Sequence, residues 1–388
     1  MPLERAKQGH HRAATSAGSS AGHRRLRPLP VEICTRSSFR SRFAVAGLSC
    51  ASGPSAQSRA CIDWGGMVSL RASNRGIVMI DAVVTWVDGA DPAHHAKRLR
   101  HQGEAGVHQA ATAPTRFAHS GEIRFCVLSL LRFCPFVERI HIVTDDQHPA
   151  VLDPILDDPR WRDRIAVVDH RAIYGEHADL LPVFSSRSIE TMIHRIPGLA
   201  PRFIYLNDDI FVGRPLDESH FFDGDRAVLR GRMQPFPNPL VTRLKRWLKR
   251  ERPGYKTAQQ AAARLTGRTS DYFLTEHQPH PMHRDRLASF YADDPQALRR
   301  QAGHRFRSAD QVSPIGLSNH LEIEAGAVIA PPLDVGYIRP GRPTGAALAR
   351  TMERLCANGY ASFCVQSLDA MSEADRRCVL EGLERHYA

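Results

Sequence analysis

An apolar segment that ends abruptly in polar residues constrains the fold of this chain more than any other feature. The residues Phe203–Leu206 are β-prone, and Asn207, Asp208 and Asp209 follow them directly. A buried strand over this segment would deliver the polar groups to its carboxyl end, where open α/β sheets bind ligands. Adjacent carboxylates repel each other and are best tolerated beside a hard cation such as Mg²⁺ or Mn²⁺. The run predicts a cation-assisted site, with a solvated strand-to-turn junction as the ordinary alternative.

The rest of the chain alternates between apolar strand patterns and helical periodicity. The patterns predict strands over 77–87, 139–144 and 164–168, and helices over 121–134, 185–196, 277–291 and 373–387. This alternation predicts an α/β fold with a largely parallel central sheet and flanking helices. Residues 233–275 differ, because three prolines precede basic, helix-prone sequence, and we predict a helical insertion or lid there.

The positive charge of the chain is concentrated at its N-terminus. The net charge is +11, and residues 1–75 hold twelve Lys or Arg against three Asp or Glu, which leaves about +2 for the other 313 residues. This segment lacks periodicity, so we predict a disordered basic tail. The alternative is a start assigned too early, since Met67 and Met79 precede the first strand. Residues 76–388 would then form the folded domain.

Hydropathy and cysteine content limit the classes of protein to which this chain can belong. No run reaches the ~18 apolar residues of a membrane span. The five cysteines after residue 75 are odd in number and lack CxxC spacing, so we expect reduced thiols in the cytosol. Among them, Cys126 and Cys134 fall on a helix of apolar pattern and are predicted to be core residues.

Four separated blocks place polar residues at strand ends or helix starts. They are Asp81–Gly89; a long second block from Glu122 to Asp209 that includes Glu190; His277–His280 followed by Arg307 and Asp310; and Phe363–Val365. In this order they resemble the four conserved regions of the Stealth proteins. That family comprises sugar-1-phosphate transferases, among them bacterial capsular-polysaccharide phosphotransferases and the lysosomal-enzyme GlcNAc-1-phosphotransferase. The resemblance implies that residues 76–388 form a catalytic domain with a nucleotide-sugar-transferase-like fold.

The match is specific in the first two regions and looser afterwards. Ile80–Pro92 follows the family pattern I-D-x-V-Y-T-W-V-D-G-x-D-P with Val84 in place of Tyr, and the second region matches over 121–146 and 181–213. The fourth region departs from the family, because Cys364-Val365 leads to Gln366-Ser367 where a Cys-Leu-Asn-Asp-like segment is usual. This departure could alter acceptor choice.

The resemblance implies attack by a sugar hydroxyl on the β-phosphorus of a UDP-sugar, which yields a phosphodiester and UMP. Asp209 corresponds to an essential family position and is expected to bind Mg²⁺ or Mn²⁺ with Asp208 or Asn207 beside it. Glu190 corresponds to a second essential position, as proton acceptor or as a hydrogen-bond partner of the acceptor hydroxyl. Without the family it would be an ordinary exposed helix residue.

The third region supplies an imidazole and a guanidinium. His277 could act as general base or as a donor to phosphate, and Arg307 suits bidentate contact with phosphoryl oxygens. His280 is an alternative imidazole for the site. We expect Asp310 to orient Arg307 or to join the metal ligands.

Three residues of the first two regions are expected to bind the nucleotide. Trp86 offers a ring for the uracil or ribose, Asp88 a carboxylate for a hydroxyl or metal, and Arg124 a cation for phosphate. Plain core packing is the alternative for Trp86.

Two other functions compete with sugar-phosphate transfer. A metal-dependent glycosyltransferase would use the same UDP-sugar but release UDP. A polyanion-binding protein is suggested by the basic tail and by the basic run 245–250, although no nucleic-acid-binding module is recognisable. That run could instead contact anionic lipid at the inner face of the membrane.

We therefore predict a cytoplasmic transferase for capsule or exopolysaccharide synthesis. It would use a UDP-sugar donor, with UDP-GlcNAc as the first choice, and a glycan acceptor, without nucleic acid. The sugar, the acceptor hydroxyl and the polymer remain open from the sequence.

Overall fold

The computed structural model describes residues 79–103, 112, 117–118, 120–238 and 254–388. These residues fall within a single unit, Ala72–Ala388. The predicted basic tail, Met67 and the basic run 245–250 lie outside the described residues.

Strands and helices alternate along this part of the chain. The strands are β1 Ile80–Thr85, β2 Val137–Thr144, β3 Ile165–Asp169, β4 Arg202–Asn207, β5 Ile210–Val212, β6 Phe222–Asp223, β7 Arg226–Pro235, β8 Asp271–Thr275, β9 His280–His283, β10 Val328–Ala330, β11 Val335–Ile338 and β12 Ser362–Val365. The α-helices are α1 Pro92–Gln102, α2 Glu122–Phe133, α3 Asp153–Leu156, α4 His170–Tyr174, α5 Ser186–Met192, α6 Tyr255–Leu265, α7 Arg284–Asp293, α8 Pro295–Ala302, α9 Pro314–Glu324, α10 Gly345–Cys356 and α11 Glu373–Tyr387.

The central sheet has the strand order β3-β2-β1-β4-β9 in the described part of the chain. Its first four strands are parallel, and β9 runs antiparallel to β4. The carboxyl ends of β1 and β4 are in register, because Thr85 pairs with Asn207. The antiparallel β9 begins at this same edge, since His280 pairs with Tyr205. Polar residues from distant sequence blocks therefore meet at one edge of the sheet.

Both faces of the central sheet are buried, which explains its continuous apolar strands. On one face, Ala82 and Leu206 pack with α2 and the C-terminal helix α11 in one apolar cluster. On the other face, Val83 and Phe203 pack with residues of α5, α7 and α8 in a second cluster. The α/β class with a largely parallel central sheet is confirmed.

A smaller sheet packs beside the central one and reaches the same edge. Its order is β11-β12-β5, with β12 parallel to β11 and antiparallel to β5. Only Asp208 and Asp209 separate β4 from β5. Together with Asn207 they form a turn that joins the two sheets, and we call it the Asn-Asp-Asp turn. A further sheet has the order β10-β7-β6, with β8 also pairing with β7.

One prediction about secondary structure was wrong. The segment 277–291 is not one helix: β9 covers His280–His283 and α7 begins only at Arg284, because the segment completes the edge of the central sheet. The predicted insertion 233–275 contains the helix α6, and its two ends contribute strand residues where β7 and β8 pair.

Other predictions agree closely with the structure. Helix α2 covers Glu122–Phe133 and α11 covers Glu373–Tyr387, within one residue of the predicted bounds. Cys126 and Cys134 are fully buried, as expected of core residues. No described helix is both long enough and apolar enough to cross a membrane.

Candidate active site

The Asn-Asp-Asp turn is held in place by contacts from helix α2 and from strand β12. The Cys126 thiol on α2 donates to the carbonyl of Asn207 over 3.9 Å, and the amide of Val365 on β12 donates to the carbonyl of Asp209 over 3.0 Å. The Cys364 thiol points at Asp209 Oδ2, 3.8 Å away. The turn is thus fixed mainly through its backbone carbonyls.

Three carboxylates, those of Asp208, Asp209 and Glu122, act on one another at this turn. Burial raises the pKa of Asp209 to about 7, with a further contribution from the charge of Glu122 at the start of α2. Burial, then the charges of Asp209 and Glu122, raise the pKa of Asp208 well above its usual range. Asp209 Oδ1 is buried and has no hydrogen-bond partner among the described residues.

The turn fits a divalent cation that is bound jointly with a diphosphate. Mg²⁺ commonly takes one or two carboxylates and fills its other positions with water and phosphate oxygens. Asp208 and Asp209 provide such hard oxygen donors, and the unpartnered Oδ1 of Asp209 is the atom a cation would satisfy. Within the described ranges, no group of three or more His, Cys, Asp or Glu residues is arranged to hold a metal by itself.

Glu190 lies on α5 and faces the same edge of the sheet. It is 7% exposed, and its carboxylate accepts a hydrogen bond from the Tyr205 hydroxyl over 3.3 Å. That hydroxyl also lies 2.7 Å from Asn207 Oδ1 and 2.8 Å from the Thr85 hydroxyl. A buried polar cluster therefore links Glu190 to the first residue of the Asn-Asp-Asp turn.

Arg307 reaches this cluster from the loop between α8 and α9. Its Nη2 donates to the Ser186 hydroxyl over 2.7 Å, and Ser186 in turn hydrogen-bonds Glu190. Burial raises the pKa of Glu190, and the charges of Arg307 and then Arg187 oppose that rise. Arg187 is committed elsewhere, since it donates to the carbonyls of Ser308, Gln311 and Gly254. Arg307 is the more available of these two cations.

His277 stands in a stack of three rings. Tyr255 lies on one side, 5.4 Å between ring centroids, and Tyr337 on the other, 5.3 Å away and only 9° from parallel. Burial lowers the pKa of His277, which the neighbouring Glu276 carboxylate opposes. Burial raises the pKa of Tyr337, and the charge of Asp209 contributes to that rise, so the stack lies within electrostatic reach of the Asn-Asp-Asp turn.

The sequence carries recognised conserved regions over the elements that build this site. Residues 79–100 match Stealth protein CR1, conserved region 1, and residues 116–229 match Stealth protein CR2, conserved region 2. By these regions the chain belongs to the Stealth family. The two matched ranges contain β1 and β4, the Asn-Asp-Asp turn and Glu190.

Relatives of this Stealth chain include named phosphotransferases. It is 31% identical over 317 residues to an exopolysaccharide phosphotransferase of Streptomyces coelicolor, which covers 79% of this chain and 32% of the relative. It is 38% identical over 148 residues to a capsular polysaccharide phosphotransferase of Actinobacillus pleuropneumoniae, which covers 38% of this chain and 39% of the relative. The chain spans between about a third and a half of the length of the curated relatives it matches.

Solved structures with a related outline include glycosyltransferases of low sequence identity. A galactosyltransferase in complex with donor and acceptor sugar analogues aligns with a TM-score of 0.39 at 11% identity, over 80% of this chain and 97% of that one. Mouse xyloside xylosyltransferase 1 aligns with a TM-score of 0.35 at 12% identity, over 74% of this chain and 97% of that one. Similarity at this level carries no argument about function.

Several residues predicted for the site make other contacts in the structure. Trp86 is 5% exposed and packs in the main apolar cluster, which agrees with the core alternative. Arg124 forms an ion pair with Glu384 on α11, so its guanidinium already has a carboxylate partner. Asp88 caps its own turn by accepting a hydrogen bond from the Ala90 amide over 2.8 Å.

Two further predicted residues are placed differently from our expectation. Asp310 is exposed and bonds to Ser308 on its own loop; it does not join Asp208 and Asp209 in a metal-binding group. The loop carries Arg307 inward and leaves Asp310 outside. His280 is buried, and burial lowers its pKa to about 3, so it remains neutral beside Thr275.

Sequence reasoning missed four residues that shape the Stealth site. They are Glu122, Tyr205, Tyr255 and Tyr337. Tyr205 was visible as a polar-tipped residue in an otherwise apolar strand, two positions before Asn207. The other three act through contacts between distant elements, which no local pattern reveals.

Proposed function

We propose that this chain transfers a hexose-1-phosphate, GlcNAc-1-phosphate in the first instance, from a UDP-sugar to a hydroxyl of a glycan. The products are a sugar–phosphate–sugar diester and UMP, and the role is capsule or exopolysaccharide synthesis. One observation carries the proposal: Glu190, the Asn-Asp-Asp turn and Arg307 come from separate sequence blocks and are linked by hydrogen bonds at one edge of the sheet, where β9 begins three residues after His277. The names of the phosphotransferase relatives support the reaction class.

The reaction requires a balanced exchange at phosphorus. The acceptor oxygen forms a bond to the β-phosphorus while the bond from that phosphorus to the bridging oxygen breaks. UMP departs with the bridging oxygen, and the acceptor proton passes to a base. Such a reaction depends mainly on positioning and on stabilising charge at the transferred phosphoryl group.

The cationic side of the proposed site is Arg307. Its guanidinium is already oriented by Ser186 and stands close enough to Glu190 to lower that carboxyl's pKa. A guanidinium can contact two phosphoryl oxygens at once as charge develops on them. Asp208 and Asp209 would hold Mg²⁺ or Mn²⁺, which supplies positive charge to the diphosphate when bound.

We assign the proton acceptor to His277 and the positioning of the acceptor hydroxyl to Glu190. Burial keeps His277 neutral near pH 7, and neither of its ring nitrogens is buried or hydrogen-bonded within the described part of the chain. Glu190 is more enclosed and already accepts hydrogen bonds from Tyr205 and Ser186. A neutral, open imidazole is the better base.

The test is the identity of the nucleotide product. UDP-GlcNAc, Mg²⁺ and a short capsular glycan are incubated with the full chain, and UMP is separated from UDP by chromatography. UMP that disappears on chelation is the expected result. UDP would instead identify a glycosyltransferase, which breaks the sugar C1–O bond and leaves Arg307 without a transferred phosphoryl group to stabilise.

Substitutions at the proposed site residues test whether those residues are responsible for UMP formation. Glu190→Gln, His277→Ala and Arg307→Ala should each reduce UMP formation by roughly a hundredfold or more, since each removes a group that acts at the transition state. The matched control is Arg226→Ala, which removes an exposed cation that pairs only with Asp223 on its own turn. Equal losses in the control and the three site variants would contradict the assignment.

A further inference from the structure

The ring stack around His277 is anchored at both ends. The Tyr255 hydroxyl donates to the carbonyl of Thr275 over 3.3 Å, at the end of β8. The Tyr337 hydroxyl hydrogen-bonds the side-chain oxygen of Gln366, just beyond β12. The two outer tyrosines are 42% and 37% exposed, and each is held by its stacking contact with His277 and by a hydrogen bond from its hydroxyl.

The backbone around the stack is tied to the same small sheet. The amide of Gln366 donates to the carbonyl of Ile338 over 2.9 Å, and the Ser362 hydroxyl donates to the carbonyl of His277 over 3.3 Å. Strand β11, which carries Tyr337, pairs with β12, and β12, which ends just before Gln366, pairs with β5. The small sheet therefore fixes the position of the stack relative to the Asn-Asp-Asp turn, which leads into β5.

We propose that Tyr255, Tyr337 and Gln366 are positioning residues that fix the plane of the His277 ring. The two tyrosines cover both faces of the imidazole and leave its edge, with the nitrogens, as the open part of the ring. Gln366 acts through Tyr337. This gives a role to Gln366, which stands where the fourth region of this chain departs from the family pattern. The catalytic meaning of the positioning rests on the proposed function.

The stack also controls the protonation of His277. Coverage of both faces removes water from the ring, which is the main cause of its lowered pKa, and the Glu276 carboxylate opposes this effect. His280 lies within electrostatic reach and is itself kept neutral by burial. Removing one tyrosine ring should let water reach a face of His277, so its pKa should rise towards the ordinary value of about 6.5.

The test uses the imidazole resonances of the full chain in an NMR pH titration, with the His277 signal identified by its loss in His277→Ala. In Tyr337→Ala the His277 pKa should rise and its resonance should broaden. Tyr337→Phe and Gln366→Ala remove the same hydrogen bond, so each should broaden the signal by a similar amount and their combination should add little. Tyr272→Phe is the control, because Tyr272 stacks on Phe236 instead.

Rates of UMP formation complete the test. Each of Tyr337→Phe and Gln366→Ala should lower kcat by roughly tenfold with little change in KM, since misplacement of a reacting group acts on the chemical step. An unchanged His277 signal in both variants and in Tyr337→Ala would overturn the positioning role, whatever the rates do. Altered signals without UMP from the wild-type chain would support positioning and count against the proposed function.

Discussion

Asp209 combines a buried oxygen that lacks a hydrogen-bond partner with a pKa raised to about 7. Both properties are expected of a carboxylate whose natural partner is a cation. Asp209→Asn keeps the shape of the side chain and removes its charge, so we predict that kcat for UMP formation falls by roughly 10³-fold. Asp310→Asn is the matched control and should stay near wild type, because Asp310 is exposed and bonds only within its loop. Near-normal turnover in Asp209→Asn would remove this residue from the site.

Tyr205 is the residue through which β4 contacts Glu190. Its hydroxyl lies within hydrogen-bond distance of Thr85, Asn207 and Glu190. Tyr205→Phe deletes these contacts and preserves the buried ring, so we predict a kcat lowered by roughly tenfold and a destabilisation of about 1 kcal/mol. Measurements of kcat would check the first effect, and urea unfolding would check the change in the free energy of unfolding. Tyr272→Phe, on β8, provides a control for the loss of a tyrosine hydroxyl elsewhere.

The residues of the site were predictable to different degrees. Asp209 follows from the end of a strand pattern, which the structure keeps, whereas Glu190 was singled out only by the resemblance to the family. Partners such as Tyr205 and Thr85 depend on the register of β1 against β4, which sets them side by side across 120 residues of sequence. Trp86 shows the converse: its position at a strand end suggested a contact with a ligand, but its side chain is buried in the main apolar cluster.

At the scale of elements, the packing between the strands of the small sheet β11-β12-β5 should affect the geometry of the site. Gly336 on β11 faces the fully buried ring of Phe363 on β12, and a Cβ at this glycine would lie 2.3 Å from that ring. We predict that Gly336→Ala destabilises the fold by about 1–3 kcal/mol, because the ring has no space to move. UMP formation should also fall, since β11 carries Tyr337 and β12 carries Cys364.

Urea unfolding and rate measurements on Gly336→Ala test this coupling. Gly103→Ala is the control: a Cβ at Gly103 meets nothing within 4 Å, and its φ of −87° suits alanine. A stable and fully active Gly336→Ala would show that the contact between β11 and β12 does not constrain the site.

The elements that sequence patterns misassigned are those whose conformation depends on distant partners. The segment His280–His283 becomes a strand because β4 offers it an open edge. Its local pattern, with several histidines and prolines nearby, does not distinguish that outcome from a helix. The long helices α2 and α11 were predictable because each carries its own apolar stripe, and α2 also ends shortly before Pro135.

At the scale of the whole molecule, the buried carboxyl groups of Asp208 and Asp209 should make the free energy of unfolding depend on pH. The folded-state pKa of Asp209 is about 7 against an unfolded value of 3.8, and that of Asp208 is raised in the same direction. A raised acid pKa means that the folded state binds the proton more tightly than the unfolded chain does. Stability from these groups is therefore complete below about pH 4 and is lost as the pH rises towards 7.

A divalent cation should reverse this loss, because it binds the ionised carboxylates of the folded state and not those of the unfolded chain. We predict that Mg²⁺ or Mn²⁺ with UDP raises the Tm of the full chain at about pH 8 relative to chelator, with a smaller effect near pH 5. In Asp209→Asn the Tm at pH 8 in chelator should exceed that of the wild type, because a buried charge is gone, and the response to the cation should disappear. Thermal unfolding at both pH values separates these outcomes without relying on turnover. If the wild-type Tm at pH 8 is the same with the cation and with chelator, the Asn-Asp-Asp turn binds its ligands through hydrogen bonds alone.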